Sequence, residues 1–321
     1  MSTYSIITEV LLGSLRNGKI PWIKPWNESS DPARNYVSGR PYSLFNRMLL
    51  SRPGEYMTLQ QMESLGGSLA PSGLTEEALD EWAADRFTSR RVAEWWGSLS
   101  FGRKDQYYQS HTLGELVTFA KKVEKEEEDE DGTSRRYSYP LLRFYNVFHV
   151  SDMVGIPAHD APRGLQSVLP DIDAVVDGYL QRTGVRIVDG PVPRYDPAAD
   201  AVSMPRRPAF RSDGDYYSVL FHELVHSTGR AGRLDRDLAG TLGSRSEANP
   251  REELVAEIGA ALICTTLELD TDELFRNQAA FIQKYIEWME ADERLAVWAA
   301  HRAEKAADLI LYGIAGEPVR C

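Results

Sequence analysis

His222 and His226 stand four residues apart in "FHELVHSTGR", with Glu223 directly after the first. Tyr217, Leu220, Phe221, Leu224 and Val225 recur at helical spacing through the same stretch, and Gly229 follows as a stop, so a helix is expected over 216–228. Positions four apart project from one face of a helix, which brings the two imidazoles within reach of a single ion. Glu223 then faces a metal-bound water as general base. The pattern arises by chance in about one chain in a hundred of this length, so a pair of ordinary structural histidines is the weaker reading.

Two protein ligands leave a zinc ion incomplete. "HELVHSTGRAG" matches the metzincin pattern as far as Gly229, but Gly232 occupies the place of the third histidine, which excludes that arrangement. The remaining source is a carboxylate from "NPREELVAEIGAAL". Asn249 reads as N-cap, Pro250 as first helical residue and Glu252 as the acid of a capping arrangement, which gives Glu252 a structural job. Glu253 and Glu257 remain, four apart on one face: Glu253 as metal ligand, Glu257 holding a ligand histidine through a hydrogen bond. Exchanging their roles satisfies the spacing equally well. The expected cofactor is Zn2+, although a His2Glu set also accepts manganese, cobalt or nickel. The combination HExxH…ExxxE is similar to the gluzincin pattern, in which ExxxD is commoner. Tyr216, Tyr217, His301 and Tyr312 are oxyanion candidates by chemistry alone.

Elements must bring these residues together. A helix is expected near 169–182, then the strand "VRIVD", then a hairpin over 193–204 turning at Asp196-Pro197. That hairpin would lie beside the site as an edge strand, open to pairing with an extended peptide. Hairpin, HExxH helix and second acidic helix follow the order used by small zincin metallopeptidases. Upstream, helices are expected over 4–16, 43–50 and 74–86, the last capped by Thr75, and strands over 113–123 and 139–149. The acidic block "EKEEEDEDGTSRR" between those strands reads as a solvated tip.

Bulk properties bound the function. The 321 residues carry a formal charge of -12, which argues against coating nucleic acid by bulk attraction. The first 150 residues are nearly neutral, with 18 basic and 20 acidic side chains against 18 and 28 in the remainder. Only Cys264 and Cys321 are present, so neither a disulfide framework nor a thiolate metal site is available. Without an apolar run long enough for a membrane span or a signal-peptide pattern, a cytoplasmic protein without membrane association is expected.

In "GKIPWIKPWN" and "NYVSGRPYSLFNRMLL", aromatic and cationic side chains interleave in the way that suits single-stranded nucleic acid: bases stack on rings while cations track phosphates. "EWWGSLSFGRK" adds Trp95, Trp96, Arg103 and Lys104. A PWxKPW segment, an N-x-x-[ST]-G-[RK]-P-Y segment, a "YNVFHV" strand and HExxH with a downstream "EELVAEIGAAL" together resemble the ArdC-type antirestriction proteins of conjugative plasmids and phages, over residues 4–313. Two departures stand out: His149 where asparagine is typical, and the acidic insertion 124–131.

The resemblance implies an α+β protein. A mixed α/β domain binding single-stranded DNA (1–152) and a linker (153–165) would precede a mainly helical zincin-like metallopeptidase domain with a small β-hairpin (166–321). It implies His222, His226 and Glu253 as metal ligands, Glu223 as base, and Trp22, Lys24, Trp26, Arg40, Tyr42 and Asn46 on the DNA face. The expected function is protection of incoming DNA of a mobile element from host restriction, with single-stranded DNA as partner and a host restriction enzyme or other host protein as substrate. Two further readings are a cytoplasmic zinc peptidase acting on a host protein, and a non-catalytic protector with a structural metal.

Overall fold

The computed structural model describes residues 2–23, 32–128, 134–157, 159, 171–238, 249–269 and 279–313. In chain order its elements are α1 (Thr3–Arg16), β1 (Arg34–Asn35), α2 (Leu44–Leu49), β2 (Glu55–Met57), α3 (Leu59–Ser64), β3 (Ser68–Leu69), α4 (Glu76–Ala84), α5 (Arg90–Gly97), α6 (Phe101–Thr112), β4 (Glu115–Glu128), β5 (Ser134–His149) and β6 (Met153–Val154). There follow α7 (Ile172–Thr183), β7 (Arg186–Asp189), β8 (Arg194–Asp196), β9 (Ala201–Met204), α8 (Asp213–Thr228), α9 (Pro250–Thr266), α10 (Ala279–Ala291) and α11 (Leu295–Tyr312). This is the α+β composition expected. No helix among the described residues is long and apolar enough to cross a membrane.

Contacts divide the chain into two compact units that interleave in sequence: 1–31, 43–49 and 162–321 form one, 32–42 and 50–161 the other. The sequence expectation puts everything before 153 into one domain, whereas α1 and α2 pack with the C-terminal helices. The reason lies in α1, whose stripe of Ile7, Leu11, Leu12 and Leu15 is buried, with α10 as a packing partner. Polar contacts fix the pairing: Thr8 Oγ1 donates to the Glu293 carbonyl at 2.7 Å, and Arg16 meets Glu290 at 2.7 Å.

In the second unit, a four-stranded sheet runs β1-β2-β5-β4, with β1 parallel to β2 and the other pairs antiparallel. The strands β4 and β5 extend further than expected, because the acidic block continues the ladder as far as Glu128 opposite Ser134; the rest of that block lies outside the described residues. The connector holds a strand of its own, β6, which pairs with β3. Thr75 caps α4 as read from sequence, accepting from the Ala78 amide. Two helices beyond the sequence expectation, α5 and α6, close with α4 around Leu79, Ala83 and Trp96.

The first unit builds the candidate site. Its three-stranded sheet has the order β7-β9-β8, with β7 parallel and β8 antiparallel to the central β9, so β8 is an edge. The turn after Asp196 is an Asx turn: the Asp196 carboxylate accepts from the amides of Ala198 and Ala199. Helices α8 and α9 pack side by side, and Gly259 lets them approach. A Cβ there would stand 2.9 and 3.1 Å from the Val225 methyl carbons.

Candidate metal centre

The helix α8 begins at Ser212, whose hydroxyl accepts from the Asp215 amide, and buries Tyr217, Leu220, Phe221, Leu224 and Val225. That burial fixes its rotation and turns His222 and His226 together toward α9. Their Nε2 atoms are 3.2 Å apart. From α9, Glu253 presents its carboxylate with Oε2 3.8 Å from His222 Nε2 and Oε1 3.8 Å from His226 Nε2. One ligand atom from each of the three residues lies within 4.8 Å of the other two.

Ligand atoms around a tetrahedral zinc, each roughly 2.0–2.1 Å from the ion, stand about 3.3 Å from one another. The imidazole nitrogens, 3.2 Å apart, match that value, the Glu253 oxygens stand somewhat wider at 3.8 Å, and the donor set of two imidazoles and one carboxylate suits zinc or manganese. The residues therefore fit a divalent ion.

Asn249 caps α9 as read from the sequence, accepting from the Arg251 amide, but Glu252 takes no part in the cap: its side chain turns inward and is 1% exposed. There it holds a histidine. The His226 Nδ1–H donates to Glu252 at 3.2 Å, which leaves Nε2 aimed at Glu253. Arg236 clamps the same carboxylate from the other side, through Nε at 2.9 Å and Nη2 at 2.8 Å. Burial alone would raise the Glu252 pKa, but the hydrogen bonds from Arg236 and His226 outweigh it and hold the carboxyl below its ordinary value. Burial likewise opposes charge on His226, yet Glu252 and the neighbouring carboxylates raise its pKa.

Glu257 stands one turn along α9, its carboxylate 3.8 Å from His222 Nδ1, a separation wider than a hydrogen bond. Burial pushes its carboxyl up. Tyr285 on α10 is marked by no sequence pattern. Its buried hydroxyl faces Glu257, and Trp22 packs edge-on against its ring at 5.1 Å.

Glu223 is on the same helical turn as His222, and its Oε2 accepts from the backbone N–H of Tyr195 on β8 at 2.7 Å. A clamp behind the hairpin fixes that strand. Asp200 accepts from the Tyr195 hydroxyl at 2.8 Å, from both Nη atoms of Arg233 at 3.0 and 2.6 Å, and from Arg230 at 2.5 Å. Arg233 also donates to the Ser227 carbonyl at 2.7 Å, which ties the hairpin to the end of α8. Burial raises the Asp200 pKa, and the hydrogen bonds from Arg233 and Tyr195 overcome it, so the net shift is downward.

Of the oxyanion candidates, Tyr217 spends its hydroxyl on Asp173 at 2.5 Å, Tyr216 packs edge-on against Phe210, and His301 and Tyr312 are exposed. The residues assigned to a DNA face fall in both units. Trp22 and Asn46 are buried in the unit that holds the metal centre, Tyr42 is half-buried in the other, and Arg40 there is exposed. Lys24 and Trp26 lie outside the described residues. His149, the departure noted in the sequence, donates from Nε2 to the Pro53 carbonyl at 2.8 Å while Nδ1 accepts from the Ser151 amide.

An HExxH helix packed on an acidic helix, with a β-edge at the glutamate, defines the zincin-like metallopeptidase class. Comparison with known proteins agrees. Residues 174–302 match the family model of a zincin-like metallopeptidase, and residues 1–148 that of the N-terminal domain of anti-restriction factor ArdC. The chain is 30% identical over 240 residues to the uncharacterised protein y4eC of Sinorhizobium fredii, covering 72% of this chain and 75% of that one. It is 29% identical over 320 residues to DNA primase TraC of Escherichia coli, covering 96% of this chain but only 20% of TraC. The crystal structure of Mn(II)-bound antirestriction ArdC protein from plasmid R388 superposes with a TM-score of 0.61 at 26% identity over 97% of each chain; the metal-free structure gives 0.60 at 27%. The chain belongs to the ArdC antirestriction family.

Proposed function

We propose that this protein binds single-stranded DNA, holds a divalent metal in a peptidase-type centre, and protects the incoming DNA of a mobile element from host restriction. The observation that carries the metal centre is the convergence of His222, His226 and Glu253 from two helices, with Glu223 on the same turn as the first histidine. Zinc or manganese would be held by His222 Nε2, His226 Nε2 and a Glu253 carboxylate oxygen. When bound, the ion would supply a nucleophilic water at neutral pH and polarise a carbonyl.

The chain's own residues do the rest. Glu223 accepts a proton at its carboxylate and returns it to a leaving amine, the Tyr195 N–H holding Oε2 in place between turnovers. Glu252 and Arg236 keep the His226 ring oriented with Nε2 toward Glu253. The edge strand β8 offers its free side to an extended peptide beside the base.

The test is metal content by elemental mass spectrometry on wild type, Glu253→Ala and Glu223→Gln, with folding checked by circular dichroism. About one ion per chain is expected in wild type and Glu223→Gln, and none in folded Glu253→Ala. A wild-type protein that takes up no ion when zinc and manganese are supplied sinks the reading of the centre. In a plasmid-transfer assay, Glu223→Gln is expected to lose protection; full protection by this variant would remove the peptidase step from the function.

A further inference from the structure

The β4–β5 hairpin carries aromatic and cationic side chains on one face. Alternation along the ladder puts Val117, Phe119 and Lys121 on the same side as their partners Tyr145, Arg143 and Leu141. At the end nearer β2 this face is closed by core: Val117 and Val147 pack with Tyr56, and Tyr42 leans against them. Further out it opens. The rings of Phe119 and Tyr145 lie 5.6 Å apart, and Tyr145, Lys121 and Arg143 are exposed.

Among the described residues no carboxylate pairs with Lys121 or Arg143, whereas Lys122 on the opposite face meets Glu124 at 3.3 Å. In a chain of net charge -12, this face sets two exposed cations beside an exposed Tyr145 ring and a half-buried Phe119 ring. Phosphates complement the cations and bases complement the rings, a combination that single-stranded DNA offers in register along its length. Of the residues that the resemblance places on the DNA face, Trp22 and Asn46 are buried.

We infer that this face is the stacking surface for single-stranded DNA, with Phe119 and Tyr145 receiving successive bases while Lys121 and Arg143 meet the phosphates. The inference rests on the DNA-binding part of the proposed function and assigns it a place.

The test is fluorescence anisotropy of a labelled oligothymidylate with the full-length protein across a salt series. Phe119→Leu/Tyr145→Leu keeps apolar bulk on the ladder but removes the rings, and is expected to weaken binding roughly tenfold or more with little change in salt dependence. Lys121→Gln/Arg143→Gln is expected to lower the slope of log affinity against log salt by about 1.4, roughly 0.7 for each cation that no longer meets a phosphate. Thermal melting checks that both variants fold. If wild type binds and both folded variants bind as well as it does, the surface is wrong while the DNA reading stands. If wild type binds no oligonucleotide even at low salt, the DNA reading itself fails, and the surface with it.

Discussion

Replacing Arg236 by methionine tests how the centre is held. The guanidinium makes two hydrogen bonds to Glu252, one to the Val225 carbonyl at 2.7 Å and one to Thr228 Oγ1 at 2.8 Å. Both members of the ion pair are almost fully buried, with side-chain exposures of 3% and 1%. Without Arg236, the Glu252 carboxylate keeps, among the described residues, only the His226 ring as a hydrogen-bond partner. Breaking a buried pair by removing one member costs about 3–5 kcal/mol, a large share of the roughly 5–15 kcal/mol that stabilises a typical domain.

The assay is urea unfolding in the presence of chelator, followed by manganese titration of each folded variant. Arg236→Met is expected to lose stability by that amount. The double variant Arg236→Met/Glu252→Met is expected to recover most of it, because the orphaned charge goes with its partner. Its metal affinity should nevertheless fall by about 10–100-fold, since His226 Nδ1 is left without its acceptor. A loss below about 1 kcal/mol in the single variant, or a double variant no more stable than the single, would refute the reasoning.

Two further outcomes follow from the packing and charge of the same unit. Asp200→Asn removes a carboxylate whose folded pKa lies below its ordinary 3.8, so the wild type's advantage over the variant should be full at neutral pH and disappear as pH falls through the lowered folded value; urea midpoints across an acid series would show it, and a pH-independent difference would contradict the clamp. Gly259→Ala puts a methyl 2.9 Å from Val225 and should cost about 1–3 kcal/mol, largely restored by adding Val225→Ala; thermal melts of the single and double variants would decide it.

The histidines and Glu223 were legible because one helix carries all three, and helical spacing alone sets their relation. Glu253 was legible as an acid on a later helix. The role of Glu252 was not, because which of three neighbouring acids faces the histidines depends on how α9 rotates against α8, and Gly259 sets that approach. Arg236 lies on a loop, and no spacing rule leads from it to Glu252. Trp22 shows the limit of composition: a tryptophan among cations reads as a DNA contact, but here it packs on Tyr285 behind Glu257. The helices α5 and α6 escaped because their aromatic residues are divided: Trp96 and Tyr107 pack in a local cluster, whereas Trp95 and Phe101 are exposed.

The interleaving of the two units has a consequence for how the chain folds. The unit made of 32–42 and 50–161 is almost continuous and can close on its own early contacts. The other needs residues from both ends, because α1 has to find α10 across more than half the sequence. Loop closure of that length delays the contact, so during synthesis the apolar stripe of α1 stays without α10 until the C-terminal helices have been made.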